Sequence, residues 1–357
     1  MENELLKLED AQFEDVNQSI MPPSDIVAYN ELRSCSDIFR MYSKKQLEIK
    51  PDFQRNEVWL NQDKTRFVDS VMKGLPIPSM CISLDIKTQK RLVIDGLQRI
   101  STIIHFLNDP KDEDWKMAKC EDVYEEISGK KVSDVLNNNP DLYERFENAT
   151  IPITVIRCDY SNSIHMEYLF NIFKRLNSGG IKLNNQEIRN CIYQGTFNTF
   201  LKNIAKSESW KNLRNNADNK RHKEDELVLR FYAMYDMYET YTGNMTSFLN
   251  NYMSQNKTLT EEKEKQFNEI MENTLLIAAN IEDLQSQGVN VLVSVLVGIA
   301  KNIESLRNKN KEEITNLYQT LMSKQEFSEQ SLQDALGAKN KVIERLNKSI
   351  QIFGCNE

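Results

Sequence analysis

The stretch 92-LVIDGLQRIST-102 decides how the first half of this chain is read. An apolar run ends on Asp95, Gly96 follows, and apolar residues then recur at helical spacing as Ile100, Ile103, Ile104 and Leu107. This reads as a strand, a tight turn and a helix beginning within a residue or two of Gly96. Such a turn has two readings. In one, Asp95 caps the helix and Arg99 pairs with Asp95. In the other, the first helical turn holds a phosphate. Its N–H groups lack partners, its dipole favours an anion, and a cation such as Arg99 fits there best if an anion is also present. Asp95 would then hold a bridging Mg²⁺, or orient Arg99 or a ribose, and Ser101 and Thr102 would add hydroxyls. On these residues alone the two readings balance.

Working outward, 47-LEIK-50 reads as a short strand, and Asp63–Lys73 as an amphipathic helix burying Phe67, Val68, Val71 and Met72. PIPSMCISLD (76–85) and KRLVID (90–95) read as two strands joined by the turn IKTQ, and NDP (108–110) stops the helix after the D-G turn. Residues 110–150, polar and rich in Asn, suggest a helical insertion. IPITVIRCD (151–159) is a β run, and a helix from Ile164 to Leu176 breaks at NSGG (177–180). Beyond residue 184 the strand signal nearly vanishes, and helices are expected over 222–241, 259–283, 289–305, 311–324 and 339–353. The aromatic and Met stripe of 222–241 has the spacing of a core face. The expected architecture is α+β: an acidic N-terminal arm (1–30), an α/β domain (31–180) and a helical domain (181–357).

Length and composition agree. A chain of 357 residues can bury two or three cores, and with only 11 Gly and 8 Pro it favours helices over a turn-rich sandwich. A net charge of −8 argues against a nucleic-acid binder, but residues 1–30 hold seven acidic residues against Lys7 alone, so most of the excess lies there. That arm is either a solvated terminus or a regulatory cover for a basic groove. The six cysteines show no CxxC spacing, and several sit in apolar patterns where a free thiol packs as a small hydrophobe. Residues 1–20 are acidic rather than basic-then-apolar, and the longest apolar run, 289–300, is too short to span a bilayer. A cytoplasmic protein without a membrane partner is the expectation.

Two further clusters stand out. In PDFQRNEVW (51–59), Arg55 beside Gln54 is either a bidentate phosphate or carboxylate clamp or a surface arginine stacked on Trp59. In FKRLNSGGIKLNNQE (173–187), Lys174 and Arg175 suit the C-terminus of a helix, Gly179 or Gly180 suits a left-handed cap, and Asn184 with Glu187 has capping-box spacing. A loop closing over a ligand is the alternative there. Histidines 105, 165 and 222 are isolated, and no zinc spacing, P-loop or GxGxxG occurs. With no histidine after His222, a histidine-dependent nuclease centre cannot lie in the C-terminal third.

The ordered motifs FQRNEVW, VDSVMKGLPIPSM (68–80), VIDGLQRISTIIHFL (93–107) and LFNIFKRLNSGGIKLNNQEIRN (169–190) resemble the N-terminal domain of GmrSD-type restriction endonucleases over roughly residues 30–195. That resemblance implies a ParB/sulfiredoxin-like core that binds and hydrolyses nucleoside triphosphates with Mg²⁺, in a prokaryotic restriction or anti-phage system directed at foreign DNA. It assigns Asp95, Gly96, Gln98 and Arg99 to the phosphates through a D-G-Q-Q-R motif. It places Gln54 and Arg55 near the same pocket, and it matches Arg175, Asn177 and Gly180 to an R-x-N-S-G-G segment. Asp95, Gln98 and Arg99 are the catalytic candidates, Asp95 the metal contact, and Ser101 and Thr102 join the nucleotide-binding set. The chain departs from the pattern in two ways. Leu97 replaces the first glutamine, which puts hydrolysis in doubt more than binding, and the histidine census excludes the C-terminal HNH nuclease that many relatives carry, so either cleavage needs a separate nuclease subunit or this protein does not cut DNA. The alternative is a non-catalytic DNA-binding or protein-interaction module with a degenerate nucleotide pocket.

Overall fold

The computed structural model describes residues 21–49, 59–176, 183–215, 217, 219–328, 331–332 and 337–355. These fall into two compact units, divided between Leu183 and Asn184.

The first unit is built on a mixed five-stranded sheet of β1 (Val27–Ser34), β2 (Leu47–Glu48), β3 (Met80–Asp85), β4 (Arg91–Asp95) and β5 (Thr150–Cys158), in the order β1-β5-β3-β4-β2. β1 is antiparallel to β5, β5 parallel to β3, β3 antiparallel to β4, and β4 parallel to β2. All six residues of β3 are buried, as a central strand covered on both faces requires. One face carries Met80, Ile82, Val93, Ile151, Ile153 and Val155 into a core completed by four helices: α1 (Cys35–Ser43), α2 (Asn61–Met72), α3 (Leu97–Leu107) and, beyond the short α4 (Val132–Asn138), α5 (Pro140–Asn148). α6 (Ser163–Leu176) packs on β4 and buries His165, Met166, Leu169, Phe170 and Phe173.

Several sequence expectations shift here. The expected strand 76–85 begins only at Met80, because Pro76 and Pro78 supply no N–H to a ladder. The insertion 110–150 is helical only from Val132 onward. Before that, Trp115, Met117, Cys120, Val123 and Ile127 enter the core from irregular chain. Strand β1, which takes in residues 27–30 of the acidic segment, and helix α1 had no counterpart in the sequence reading.

In the second unit every regular element among the described residues is helical: α7 (Asn185–Ile192), α8 (Thr196–Lys206), α9 (Glu208–Leu213), α10 (Lys223–Met237), α11 (Met245–Gln255), α12 (Glu261–Ala278), α13 (Val289–Lys301), α14 (Ile303–Leu306), α15 (Lys311–Met322) and α16 (Lys339–Phe353). The Asn184–Glu187 capping box forms as its spacing indicates. The apolar run becomes α13, buried from Asn290 to Ala300, and no described helix is long and apolar enough to cross a membrane. This unit also buries charge. The Arg189 guanidinium, 1% exposed, donates to Asn250 Oδ1 at 2.9 Å, Gln186 Oε1 at 3.2 Å and Glu226 Oε2 at 3.1 Å, and Glu226 also holds Arg230 at 2.6 Å. Burial pushes the Glu226 carboxyl up, but Arg230 and Arg189 outweigh it and hold the group below its ordinary value. Five cysteines are buried among apolar neighbours, Cys355 is exposed, and burial pushes the thiols of Cys35, Cys81 and Cys158 up to about 12.

Candidate functional site

The turn between β4 and α3 is fixed by Gly96. Its φ of +89° lies in the left-handed region, and a Cβ there would stand 2.6 Å from Met80 Cγ and 2.9 Å from Met80 Cβ. Conformation and close approach therefore both exclude a side chain. The helix starts at Leu97, with the Gly96 carbonyl accepting from the Ile100 N–H at 2.9 Å. The N-cap, Gly96, has no side chain to offer, and among the described residues the Asp95 carboxylate accepts from Arg99 rather than from the first N–H groups, so Asp95 does not take the capping role that the structural reading of this turn assigned to it. The first N–H groups of α3 keep no intrahelical partner.

The other half of that structural reading is present. Arg99 Nη2 donates to Asp95 Oδ2 at 3.0 Å, one helical turn away, and Nη1 donates to the Pro78 carbonyl. The Arg99 side chain is 15% exposed and that of Asp95 40%, so the carboxylate faces solvent and the guanidinium lies behind it. Burial lowers the Arg99 guanidinium from its ordinary value, and the Asp95 charge opposes the shift. The arginine is thus a strut that joins the approach to β3, the end of β4 and the first turn of α3.

The remaining candidates divide. Gln98 and Ser101 are half-buried on the first turns of α3. Thr102 is fully buried, and its hydroxyl donates to the Gln98 carbonyl at 2.7 Å within the helix. Leu97 is partly buried and packs against the hydrophobic core. Arg175 is exposed in the last turn of α6, beside Lys174. Because α6 starts beyond the C-terminal end of β5 and packs on β4, it runs back toward the end of the sheet where Asp95 lies. Gln54, Arg55, Asn177 and Gly180 lie outside the described residues.

Sequence reasoning missed two components. One is the Pro78 carbonyl. The other is a polar line across the sheet, in which Thr154 Oγ1 donates to Asn30 Oδ1 at 2.8 Å and lies 3.2 Å from Ser79 Oγ. Asn30, Thr154, Cys81 and Asp95 occupy one register row through β1, β5, β3 and β4. Nothing linear in the sequence signals this, because each residue comes from a different strand.

The histidines are engaged elsewhere. His165 is buried, accepts the Asp159 N–H on Nδ1 at 3.0 Å and faces Asp25 through Nε2 at 3.0 Å, while His105 stacks on Trp115 with ring centroids 4.5 Å apart. Among the described residues no three His, Cys, Asp or Glu side chains gather as a metal site. A Mg²⁺ at Asp95 would draw its other ligands from phosphate oxygens and water, the usual arrangement for that ion.

No curated protein and no solved structure gives a significant match to this chain. A family model does match, over residues 35–194, from the start of α1 through α7, which takes in the Asp95–Gly96 turn and the Asn184 capping box. Its description is GmrSD restriction endonuclease, N-terminal domain, and residues 35–194 are similar to that domain.

Proposed function

We propose that residues 35–194 bind a nucleoside triphosphate with Mg²⁺ at the Asp95–Gly96 turn, as the nucleotide-binding component of a prokaryotic restriction or anti-phage defence system that acts on foreign DNA with a separate nuclease subunit. The observation that carries this reading is a strand–glycine–helix turn whose N-terminal N–H groups receive no side-chain cap among the described residues and whose first turn holds a fixed arginine. Phosphate oxygens at those N–H groups would compete with Asp95 for Arg99 Nη2, while the Pro78 carbonyl keeps Nη1 in place. Asp95, released toward solvent, would be the protein ligand for Mg²⁺, and Gln98 would orient a water for attack on the terminal phosphate. Arg175, Lys174 and Ser101 are further candidates for phosphate contact. Thr102 is left to the helix interior. The test is isothermal calorimetry with each nucleoside triphosphate and Mg²⁺. Wild type binds and Arg99→Ala loses at least tenfold in affinity. Absence of binding by wild type refutes the reading.

A second reading draws on the closed Arg99–Asp95 pair and on Leu97, which packs against the core where the family pattern has a glutamine. In it the turn is a structural joint, and the domain serves as a non-catalytic DNA-binding or protein-interaction module. Leu97→Gln separates the two: a gain of triphosphate hydrolysis supports the nucleotide site, and unchanged inactivity alongside salt-sensitive DNA retention in a gel shift supports the module.

A further inference from the structure

The line Ser79–Thr154–Asn30 lies at the surface, with the Ser79 hydroxyl also bonded to the Met80 carbonyl at 3.2 Å. Ser79 and Asn30 are exposed and Thr154 is half-buried, so none of the three satisfies a buried group of the core. Yet they form a continuous chain of hydrogen-bonding atoms, with Thr154 Oγ1 placed between Asn30 Oδ1 and Ser79 Oγ. Its inner end is joined to the phosphate turn, because Ser79 directly follows Pro78, whose carbonyl receives Arg99 Nη1. The register row that contains Thr154 and Asn30 ends at Asp95. Strands lie about 4.8 Å apart, so Asn30 stands three spacings, or about 14 Å, from the Asp95 strand.

We infer that this line is the sugar- and base-reading half of the nucleotide site, and that the ligand is a ribonucleotide laid over the exposed Pro78–Ser79 segment with its phosphates at Gly96. The inference rests on the triphosphate reading above and goes further by assigning recognition of the nucleoside. The Thr154 proton is donated to Asn30 Oδ1 and the Ser79 hydroxyl donates to the Met80 carbonyl at 3.2 Å, so the two oxygens offer acceptor lone pairs to the vicinal 2′- and 3′-hydroxyls of ribose. The Asn30 carboxamide carries a donor and an acceptor side by side, the pattern that reads the polar edge of a base. Discrimination by such groups is strong where a substrate hydroxyl is missing, because the site's polar atoms then stay unpaired.

The experiment compares inorganic tripolyphosphate, the four ribonucleoside triphosphates and their 2′-deoxy counterparts, each with Mg²⁺, by calorimetry on the full chain. Wild type, Thr154→Val and Asn30→Ala are measured, with circular dichroism to confirm folding. Valine suits a strand position, and Asn30 is exposed, so both variants are expected to fold. At least one ribonucleotide binds wild type about tenfold more tightly than tripolyphosphate does. Each variant loses about three- to tenfold of that ribonucleotide affinity, the effect of one hydrogen bond, with tripolyphosphate affinity unchanged. Equal wild-type affinity for tripolyphosphate and every nucleotide, or folded variants with full ribonucleotide affinity, overturns this inference and leaves the phosphate site standing. Binding of neither ligand overturns both.

Discussion

Replacing Gly96 with alanine tests the geometry on which the whole site depends. Two costs add. A non-glycine residue in the left-handed region costs about 1–2 kcal/mol. The new methyl must also displace Met80, whose Cγ and Cβ stand 2.6 and 2.9 Å from the ideal Cβ position and whose side chain is fully buried. Overpacking of this kind costs about 1–3 kcal/mol. The expected loss is therefore about 2–5 kcal/mol, or roughly 5–15 °C in Tm for a unit of this size. Gly74 provides an internal control: its φ of +66° is of the same class, but nothing lies within 4 Å of its Cβ position, so Gly74→Ala pays the backbone cost alone. Because the chain has two units and need not unfold in one step, the assay is urea-dependent hydrogen exchange at the α3 amides, which reports on the sheet unit. If Gly96→Ala costs no more than Gly74→Ala, the close approach of Met80 to the turn does not exist in solution, and the constraint argued for this turn is wrong.

Other outcomes follow from charge and burial. Glu226→Gln strips Arg189 and Arg230 of their shared partner and costs the helical unit about 3–5 kcal/mol in urea unfolding. Because the folded Glu226 carboxyl sits below its ordinary value, its stabilisation is present above the unfolded value and is lost as pH falls through the folded one. The Gln variant should therefore show a shallower acid limb, and an unchanged limb refutes the pairing. At pH 8 a thiol reagent should label Cys355 rapidly, while Cys35, Cys81 and Cys158, pushed up to about 12, react only once denaturant opens the fold.

What the sequence revealed depended on how each segment is buried. Helices with a single buried face were legible almost to the residue, as in 339–353 and 163–176, and the core strand 150–158 declared itself by a dense apolar run. Strand β1 did not: as an edge strand it leaves Val27, Tyr29 and Leu32 exposed, so neither face carries a steady pattern, and its first four residues fall at the end of the stretch read as an acidic arm. Chain 110–131 contributes five core residues from irregular backbone, which no period can announce. The same division governs the site. The Asp95–Gly96 turn and the Arg99–Asp95 pair are local in sequence and were legible there. Pro78, Ser79, Thr154 and Asn30 become neighbours only through the order β1-β5-β3-β4, and that order is not written in any one of them.

The same strand order sets a schedule for synthesis. β1 emerges first but can pair only with β5, as in Ser34 with Thr150 and Val27 with Arg157, more than a hundred residues downstream. At about 5–20 residues per second the ribosome needs roughly 6–25 s to produce that partner. For all of that interval an eight-residue strand carrying Val27, Tyr29 and Leu32 has no ladder to join. The nascent chain is thus most open to misassociation at its N-terminal end, and truncation anywhere before residue 150 would leave that strand permanently without a partner.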